Sequence, residues 1–121
     1  MKNKNNYVNL ASPKLGTKVI SFSDDFFGKV SRMLNDSNPK FIEDKYDNHG
    51  KWMDGWESKR RRDGGHDWSI IKLGSPGKIY EIKIDTSFFT GNYPPHASIE
   101  GLYSDKVPKY EDDWNKILRK Q

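Results

Sequence analysis

The clearest pattern in the sequence is an alternation of apolar and polar residues with a period of two, which is typical of a β-strand with one wet face. Tyr80, Ile82 and Ile84 carry the apolar side of this pattern, and charged residues fill the positions between them. Shorter runs with strand character occupy residues 18–22, 68–73 and 96–102. Turn formers at 74–77 separate the run at 68–73 from the alternating segment, so we predict that these two form a hairpin or neighbouring strands.

A different spacing follows the first predicted strand. Five apolar residues recur there at the intervals of one helix face: Phe26, Phe27, Val30, Met33 and Leu34. Ser23 precedes them, and its hydroxyl can accept a hydrogen bond from a free N–H at a helix start, while Asp24 and Asp25 favour the positive end of the helix dipole. We therefore predict one short helix over 24–34 in a mainly β fold, a β-sandwich whose loops carry the chemistry.

Composition narrows the class of protein. The 121 residues suit one domain, and six Phe, six Tyr and four Trp can build a core although apolar residues make up only 33% of the chain. No run is long and apolar enough to span a bilayer, and the N-terminal residues lack the apolar stretch of a secretory signal. The absence of cysteine excludes disulfides and thiolate chemistry. We expect a cytoplasmic protein without a membrane partner, and residues 1–8 as a disordered arm.

The net charge of +4 indicates a nucleic-acid partner only weakly, because of where the charge lies. Residues 1–18 hold four Lys and no acid, so the rest of the chain sums to zero. In HGKWMDGWESKRRRDGGHDW, residues 49–68, five cations face four acids. A nucleic-acid groove needs an uncompensated basic surface that displaces counterions. We therefore predict that the protein binds no nucleic acid.

The same stretch concentrates side chains that can bind a polar ligand. If the backbone is extended at 59–62, Arg60 and Arg62 face one side while Lys59 and Arg61 face the other. We expect Arg60 or Arg62 to turn inward, toward a carboxylate or an anionic ligand, because a buried unpaired charge is costly. Lys59 and Arg61 are then the more exposed pair. A salt-bridged surface strand is the structural alternative.

Further candidates lie on both sides of these cations. Glu57, His66 and Asp67 could transfer protons, or hold a metal in a mixed site, although the three histidines lack the spacing of a zinc site. Candidates for contacts with a small ligand are Trp52, Asp54, Thr86 and Asn92. The structural alternatives stay open, since a Trp usually belongs to a core or a wall and an Asn beside a Gly is often a turn residue. We expect Trp68 to lie in the core.

Five motifs follow one another along the chain: NLAS at 9–12, SDDFF at 23–27, GKWMDGWE at 50–57, GHDW at 65–68 and DTSFFTGNYPP at 85–95. Their order and spacing resemble the start of the first repeat of the allantoicase family. The resemblance covers roughly residues 9–101, with a fainter match at 112–114, so it does not depend on one short motif.

The resemblance implies a jelly-roll sandwich of the galactose-binding-like type and a hydrolase of purine degradation, which converts allantoate to ureidoglycolate and urea. Allantoate carries a carboxylate and two ureido groups, so a guanidinium of Arg60 or Arg62 is a natural partner for the carboxylate. Loss of urea needs a proton for the leaving nitrogen and an activated water, for which Glu57, His66 and Asp67 are the candidates.

The remaining predicted substrate contacts are Trp52, Asp54, Thr86 and Asn92, with Thr86 and Asn92 as hydrogen-bond partners of the ureido groups. We predict no cofactor and no metal. A divalent ion acting as a Lewis acid is the alternative that the chemistry leaves open.

The resemblance stops short of a whole repeat. A jelly roll has eight strands, and only about five can be located here. Lys59 also stands where the family more often has arginine. We therefore expect 9–121 to be a partial repeat truncated at its C-terminus: a fragment, a decayed copy, or a chain completed by homo-oligomerisation or by a second polypeptide. If turnover is lost, the alternative function is a non-catalytic module that binds a small ligand or a carbohydrate.

Overall fold

The computed structural model describes residues 7–118, and regular elements occupy a small part of them. The strands are β1 (Lys18–Phe22), β2 (Tyr46–Asp47), β3 (Gly50–Lys51), β4 (Ser69–Lys72), β5 (Ile99–Gly101) and β6 (Asn115–Leu118). Two short 3-10 helices span Pro13–Leu15 and Val30–Leu34. The predicted mainly β class with little helix is confirmed. Of the predicted disordered arm, residues 1–6 lie outside the described residues.

The chain divides into two compact units, with the boundary between Phe88 and Phe89. The first unit contains the antiparallel pair β1–β4 and the short hairpin of β2 and β3. The second unit contains the antiparallel pair β5–β6, in which Gly101 lies opposite Asn115. Strand β5 falls within the predicted strand at 96–102, whereas β6 was not predicted because its sequence, NKIL, sits in a mostly charged tail.

Strands β1 and β4 were both predicted, but their pairing was not. Val19 lies opposite Ile71, and beyond the end of the ladder the Ser23 N–H donates to the Trp68 carbonyl at 2.9 Å. The predicted hairpin of 68–73 with 80–85 is wrong, because β4 finds its partner in β1 and residues 80–85 form no strand. Alternation favours a strand but carries no information about which distant segment pairs with it.

The helix predicted over 24–34 is wrong for most of its length. Only Val30–Leu34 is helical, as a single 3-10 segment. Ser23 extends the β1–β4 pairing instead of starting a helix. The Asp24 carboxylate accepts a hydrogen bond from the Phe26 N–H at 2.9 Å, which closes a tight turn in place of the first helical turn. The polar residues that can start a helix therefore serve non-helical backbone.

Buried apolar side chains are few in the described part of the chain: Val30, Leu34, Met53 and Ile70. They lie in the second 3-10 helix, in the segment after β3 and in strand β4. Trp68, which we expected in the core, is only half-buried. No helix among residues 7–118 has the length and apolar character to cross a membrane.

A buried hydroxyl fastens the start of β1 to the end of β4. Thr17 Oγ1 donates to the Leu10 carbonyl at 2.5 Å and accepts from the Gly74 N–H at 2.9 Å. The two backbones approach so closely that a Cβ on Gly74 would lie 1.9 Å from the Leu15 carbonyl oxygen. Glycine is required at this position for space.

We expect Gly74→Ala to destabilise the fold by at least about 1–3 kcal/mol, because a backbone carbonyl must move to make room for the methyl group. Urea unfolding measures the change. Gly91→Ala is the matched control, since nothing lies within 4 Å of a Cβ there, and it should change stability by no more than about 0.5 kcal/mol. Equal stability of the two variants would show that the close contact at Gly74 does not exist.

Candidate functional site

The basic loop, residues 58–66, has both ends fixed to the segment that follows β1. At one end, Glu57 and Gly28 exchange backbone hydrogen bonds, with N to O distances of 2.9 and 3.0 Å. At the other end, the Trp68 N–H donates to Ser23 Oγ at 2.9 Å. Because both anchors lie on one short stretch of chain, the loop is held as a unit against the end of the β1–β4 pair.

The Asp67 carboxylate is the central acceptor of this region. Its Oδ1 accepts from Ser23 Oγ at 2.8 Å and from Arg61 Nη2 at 3.2 Å, and its Oδ2 accepts from Ser58 Oγ at 2.9 Å. Partial burial raises the pKa of Asp67, but the hydrogen bonds from Ser23, Ser58 and Arg61 outweigh it and place the pKa below its usual value. Asp67 is therefore an ionised group that ties both ends of the loop together.

Arg61 is the cation of the basic loop that pairs with acids. Its Nη1 donates to Asp63 Oδ2 at 2.9 Å and its Nη2 to Asp67 Oδ1 at 3.2 Å. The hydrogen bond to Asp67, together with the charge of Asp63, raises the pKa of Arg61. Arg61 is exposed, as we expected, although two acids hold its guanidinium. The expected inward turn of Arg60 or Arg62 is wrong, because both are exposed as well. A turn bends the loop, with Gly64 at φ 77° and the Gly65 N–H on Asp63 Oδ1, so strand alternation does not apply.

A cavity of about 480 Å³ lies over the basic loop. Its lining is made of four cations and three acids: Asp24, Lys59, Arg60, Arg61, Arg62, Asp63 and Asp67. Arg60 and Arg62 are exposed and form no ion pair within residues 7–118. The Lys59 ammonium lies 4.4 Å from the centre of the Phe26 ring, and the Lys59 N–H donates to Asp24 Oδ2 at 2.8 Å.

The predicted proton-transfer residues are placed differently from one another. Asp67 lines the cavity, whereas Glu57 and His66 are not among its lining residues. Glu57 is half-buried and its backbone pairs with Gly28, while His66 is exposed near the end of the basic loop. Among residues 7–118, no group of three or more His, Asp or Glu side chains has an arrangement that could hold a metal ion.

The predicted substrate contacts outside the basic loop lie elsewhere in the chain. Trp52 is flanked by cations, with the Lys45 ammonium 4.3 Å and the Arg32 guanidinium 5.4 Å from its ring centre. Asp54 accepts a hydrogen bond from the Lys40 N–H at 2.8 Å. Thr86 is exposed in the first unit, and Asn92 is exposed in the second.

Sequence reasoning missed the residues that hold the site together. The sequence predicts a helix start at Ser23 and Asp24, and it carries no signal for Ser58. Their role depends on a contact between segments 44 residues apart in the case of Ser23 and Asp67. The SDDFF and GHDW motifs marked both segments, but the hydrogen bond between them could not be derived from either motif alone.

The fold and the site define a mainly β protein with small antiparallel sheets and a cation-rich loop that is anchored by hydrogen bonds to the partly buried Asp67 carboxylate. Comparison with known proteins gives the family. A model of the allantoicase repeat matches residues 8–121. The chain belongs to the allantoicase family.

Relatives and solved structures support this assignment. The chain is 52% identical over 110 residues to the "Probable allantoicase" of Acinetobacter baylyi. This alignment covers 91% of this chain and 33% of that protein. It is 52% identical over 113 residues to the "Probable allantoicase 1" of Burkholderia mallei, with 93% and 34% covered. The fold is similar to that of a solved allantoicase from Saccharomyces cerevisiae, with a TM-score of 0.71 and 35% identity over 94% of this chain and 35% of that chain. A second solved allantoicase gives a TM-score of 0.73 at 33% identity, again over 94% and 35%.

The chain thus spans about a third of the length of the curated relatives that it matches. The mainly β class and the family are established for this part of the allantoicase sequence. The jelly-roll topology stays a prediction.

We expect Asp67→Asn to lower stability at neutral pH by about 1–3 kcal/mol, because the amide cannot satisfy the same three donors. The pKa of Asp67 is lower in the folded state than the unfolded value of about 3.9. Its contribution is therefore present above that unfolded pKa and is lost as the pH falls through the folded pKa. Urea unfolding of both proteins at several pH values should show their stabilities converging below about pH 4.

Carboxylates with lowered pKa values outside this network, such as Asp36 and Asp47, are common to both proteins and cancel in the difference. Asp63 is coupled to Asp67 through Arg61 and belongs to the network that is tested. A constant gap between wild type and Asp67→Asn across the whole acid range would contradict the network.

Proposed function

We propose that this chain is part of an allantoicase-type hydrolase that releases urea from allantoate to give ureidoglycolate, and that the cavity over the basic loop receives the substrate carboxylate. The observation that carries the proposal is how the loop distributes its charges. Arg61 is neutralised by Asp63 and Asp67, whereas Arg60 and Arg62 line the same cavity without an ion pair in the described residues. A loop with two such guanidinium groups supports the capture of a small anion.

The chemistry of the substrate supports Arg60 and Arg62 as its partners. A guanidinium offers two parallel N–H donors that match a carboxylate and stays charged at every relevant pH. The remaining donors can reach the carbonyl oxygens of the ureido groups. Lys59 is less suited, since a single ammonium makes no such fork and here packs against the Phe26 ring.

We assign Asp67 to positioning. A carboxylate that already accepts three hydrogen bonds and has a lowered pKa is a weak base, so its contribution is to hold Arg61 and the loop. Hydrolysis adds one water across the bond between the central carbon and the leaving nitrogen: hydroxide is added to the carbon and a proton to the urea nitrogen. Glu57 and His66 are the groups that we propose for moving these protons.

The second candidate is a module that binds allantoate without hydrolysing it. It is favoured by one observation, that neither Glu57 nor His66 is among the residues that line the cavity. Binding without turnover would need only the cations of the basic loop.

The test is to add allantoate to the purified chain and to measure urea release and the shift in melting temperature. Arg60→Ala and Arg62→Ala should each weaken allantoate binding by about tenfold or more, because each variant loses at least one charge-assisted hydrogen bond to the ligand. Lys78→Ala is the matched control, because it removes an exposed cation that does not line the cavity and should leave binding unchanged.

The hydrolase is supported if the wild-type chain releases urea and this release is lower in Arg60→Ala and in Arg62→Ala. A thermal shift without urea supports the binding module. If allantoate gives no urea and no thermal shift, both functions are refuted for the chain by itself. An equal loss of allantoate binding in Lys78→Ala would show that the effect is general electrostatics rather than the proposed contact.

A further inference from the structure

Asp24 lines the cavity over the basic loop without binding a cation. Three acids line this cavity, and Arg61 forms ion pairs with the other two, Asp63 and Asp67. Asp24 is half-buried and belongs to none of the ion pairs within residues 7–118. The cavity that offers unpaired guanidinium groups to an anion therefore also contains a carboxylate that no cation of the described chain contacts.

The Asp24 carboxylate keeps acceptor capacity after its contacts with the protein are made. Its Oδ1 accepts from the Phe26 N–H at 2.9 Å, and its Oδ2 accepts from the Lys59 N–H at 2.8 Å. An ionised carboxylate has about four lone-pair sites on its two oxygens, so each oxygen can accept a further hydrogen bond. Because both donors are backbone groups, the carboxylate is held beside the start of the basic loop.

This carboxylate has opposite effects on two kinds of ligand. It repels an anion that enters the cavity, because like charges at short range oppose each other. A ligand that carries N–H groups next to its own carboxylate offsets the repulsion, since a hydrogen bond from N–H to a carboxylate is charge-assisted. A repulsive group in a binding site thus raises specificity by rejecting the ligands that cannot satisfy it.

We propose that Asp24 is a specificity-determining residue, which accepts the N–H groups of a ureido arm while Arg60 or Arg62 binds the carboxylate of the same ligand. The inference rests on the proposed function and adds a selection rule to it. The cavity favours small carboxylic acids with ureido N–H donors and rejects dicarboxylates of the same size. The ureido carbonyl oxygens are left for the cations of the basic loop, and the ureido N–H groups find their acceptor in Asp24.

Three small acids of nearly the same shape test the inference on the full 121-residue chain. N-carbamoylglycine has a carboxylate and a ureido arm, levulinate has carbon in place of both nitrogens of that arm, and succinate ends in a second carboxylate. Chemical-shift titration gives a Kd for each acid. We expect the wild type to bind N-carbamoylglycine about tenfold more tightly than levulinate, which lacks the N–H groups, and succinate more weakly still.

Asp24→Asn should change two of these affinities in opposite directions. The loss of charge should weaken binding of N-carbamoylglycine by about fivefold or more and strengthen binding of succinate by about fivefold. A variant that misfolds would instead lose affinity for both acids. Asp24→Ser is a second variant with the same expected directions, because its hydroxyl can still accept from the Phe26 N–H and close the turn.

Asp25→Asn is the matched control, since it removes the same charge one residue away. Asp25 lines a second cavity of about 440 Å³ but not the cavity over the basic loop. Its carboxylate also accepts from a backbone group, the Val30 N–H at 3.3 Å. We expect the ratio of the two Kd values, N-carbamoylglycine to succinate, to stay within about twofold of the wild-type ratio, because a more distant charge is screened.

The inference is overturned if the wild type binds N-carbamoylglycine and levulinate equally, or if both Asp24 variants keep the wild-type ratio. It is also overturned if Asp25→Asn changes the ratio as much as Asp24→Asn does. In each case carboxylate capture by Arg60 and Arg62 would stand. Binding of none of the three acids would overturn the inference and the proposed capture together. The expected affinities without urea release from allantoate would contradict only the hydrolase, because the three acids report binding and not turnover.

Discussion

The hydrogen bond between Ser23 Oγ and Asp67 Oδ1 is the contact on which the arrangement of the site depends. Ser23 stands where β1 ends, and Asp67 stands just before β4, so one side-chain contact closes the end of the strand pair. The same carboxylate binds Ser58 and Arg61, which fixes both ends of the basic loop from a single point. Without this carboxylate, three donors would lose an acceptor, and Arg61 would keep only Asp63 as its ion-pair partner.

Charge compensation in the basic loop is selective, and this selectivity gives the site its character. Asp63 and Asp67 both bind Arg61 and thereby use acids that lie within the loop or at its end. Asp24 is directed to backbone, since its carboxylate accepts from the N–H groups of Phe26 and Lys59. The stretch 49–68 thus has nearly balanced charge overall, while Arg60 and Arg62 line the cavity without an ion pair in the described residues.

Sequence patterns were informative where local and tertiary preferences agree. The strands at 18–22 and 69–72 follow from short apolar runs, and the structure pairs them, although only Ile70 of the two strands is buried. The segment after Ser23 shows the opposite case. Phe26, Val30 and Leu34 have helical spacing, but the Asp24 turn and the pairing of Gly28 with Glu57 bend the backbone before a helix can form. The candidate site is predicted only in part. The motifs indicate the loop, but the turn at Gly64 decides which cation pairs with Asp67, and strand alternation does not predict that turn.

The sequence at 79–85 and the Ser23–Asp67 contact illustrate two different relations between sequence and structure. The first is a local preference that finds no partner in the described residues, and the second is a partner that no local preference reveals. A strand preference without a pairing partner contributes no stability to the fold. The carboxylate network, in contrast, finds its hydrogen-bond partners within the first unit. It follows that the charged cavity is held by contacts within the first unit, whereas the alternating segment at 79–85 forms no ladder with the described residues.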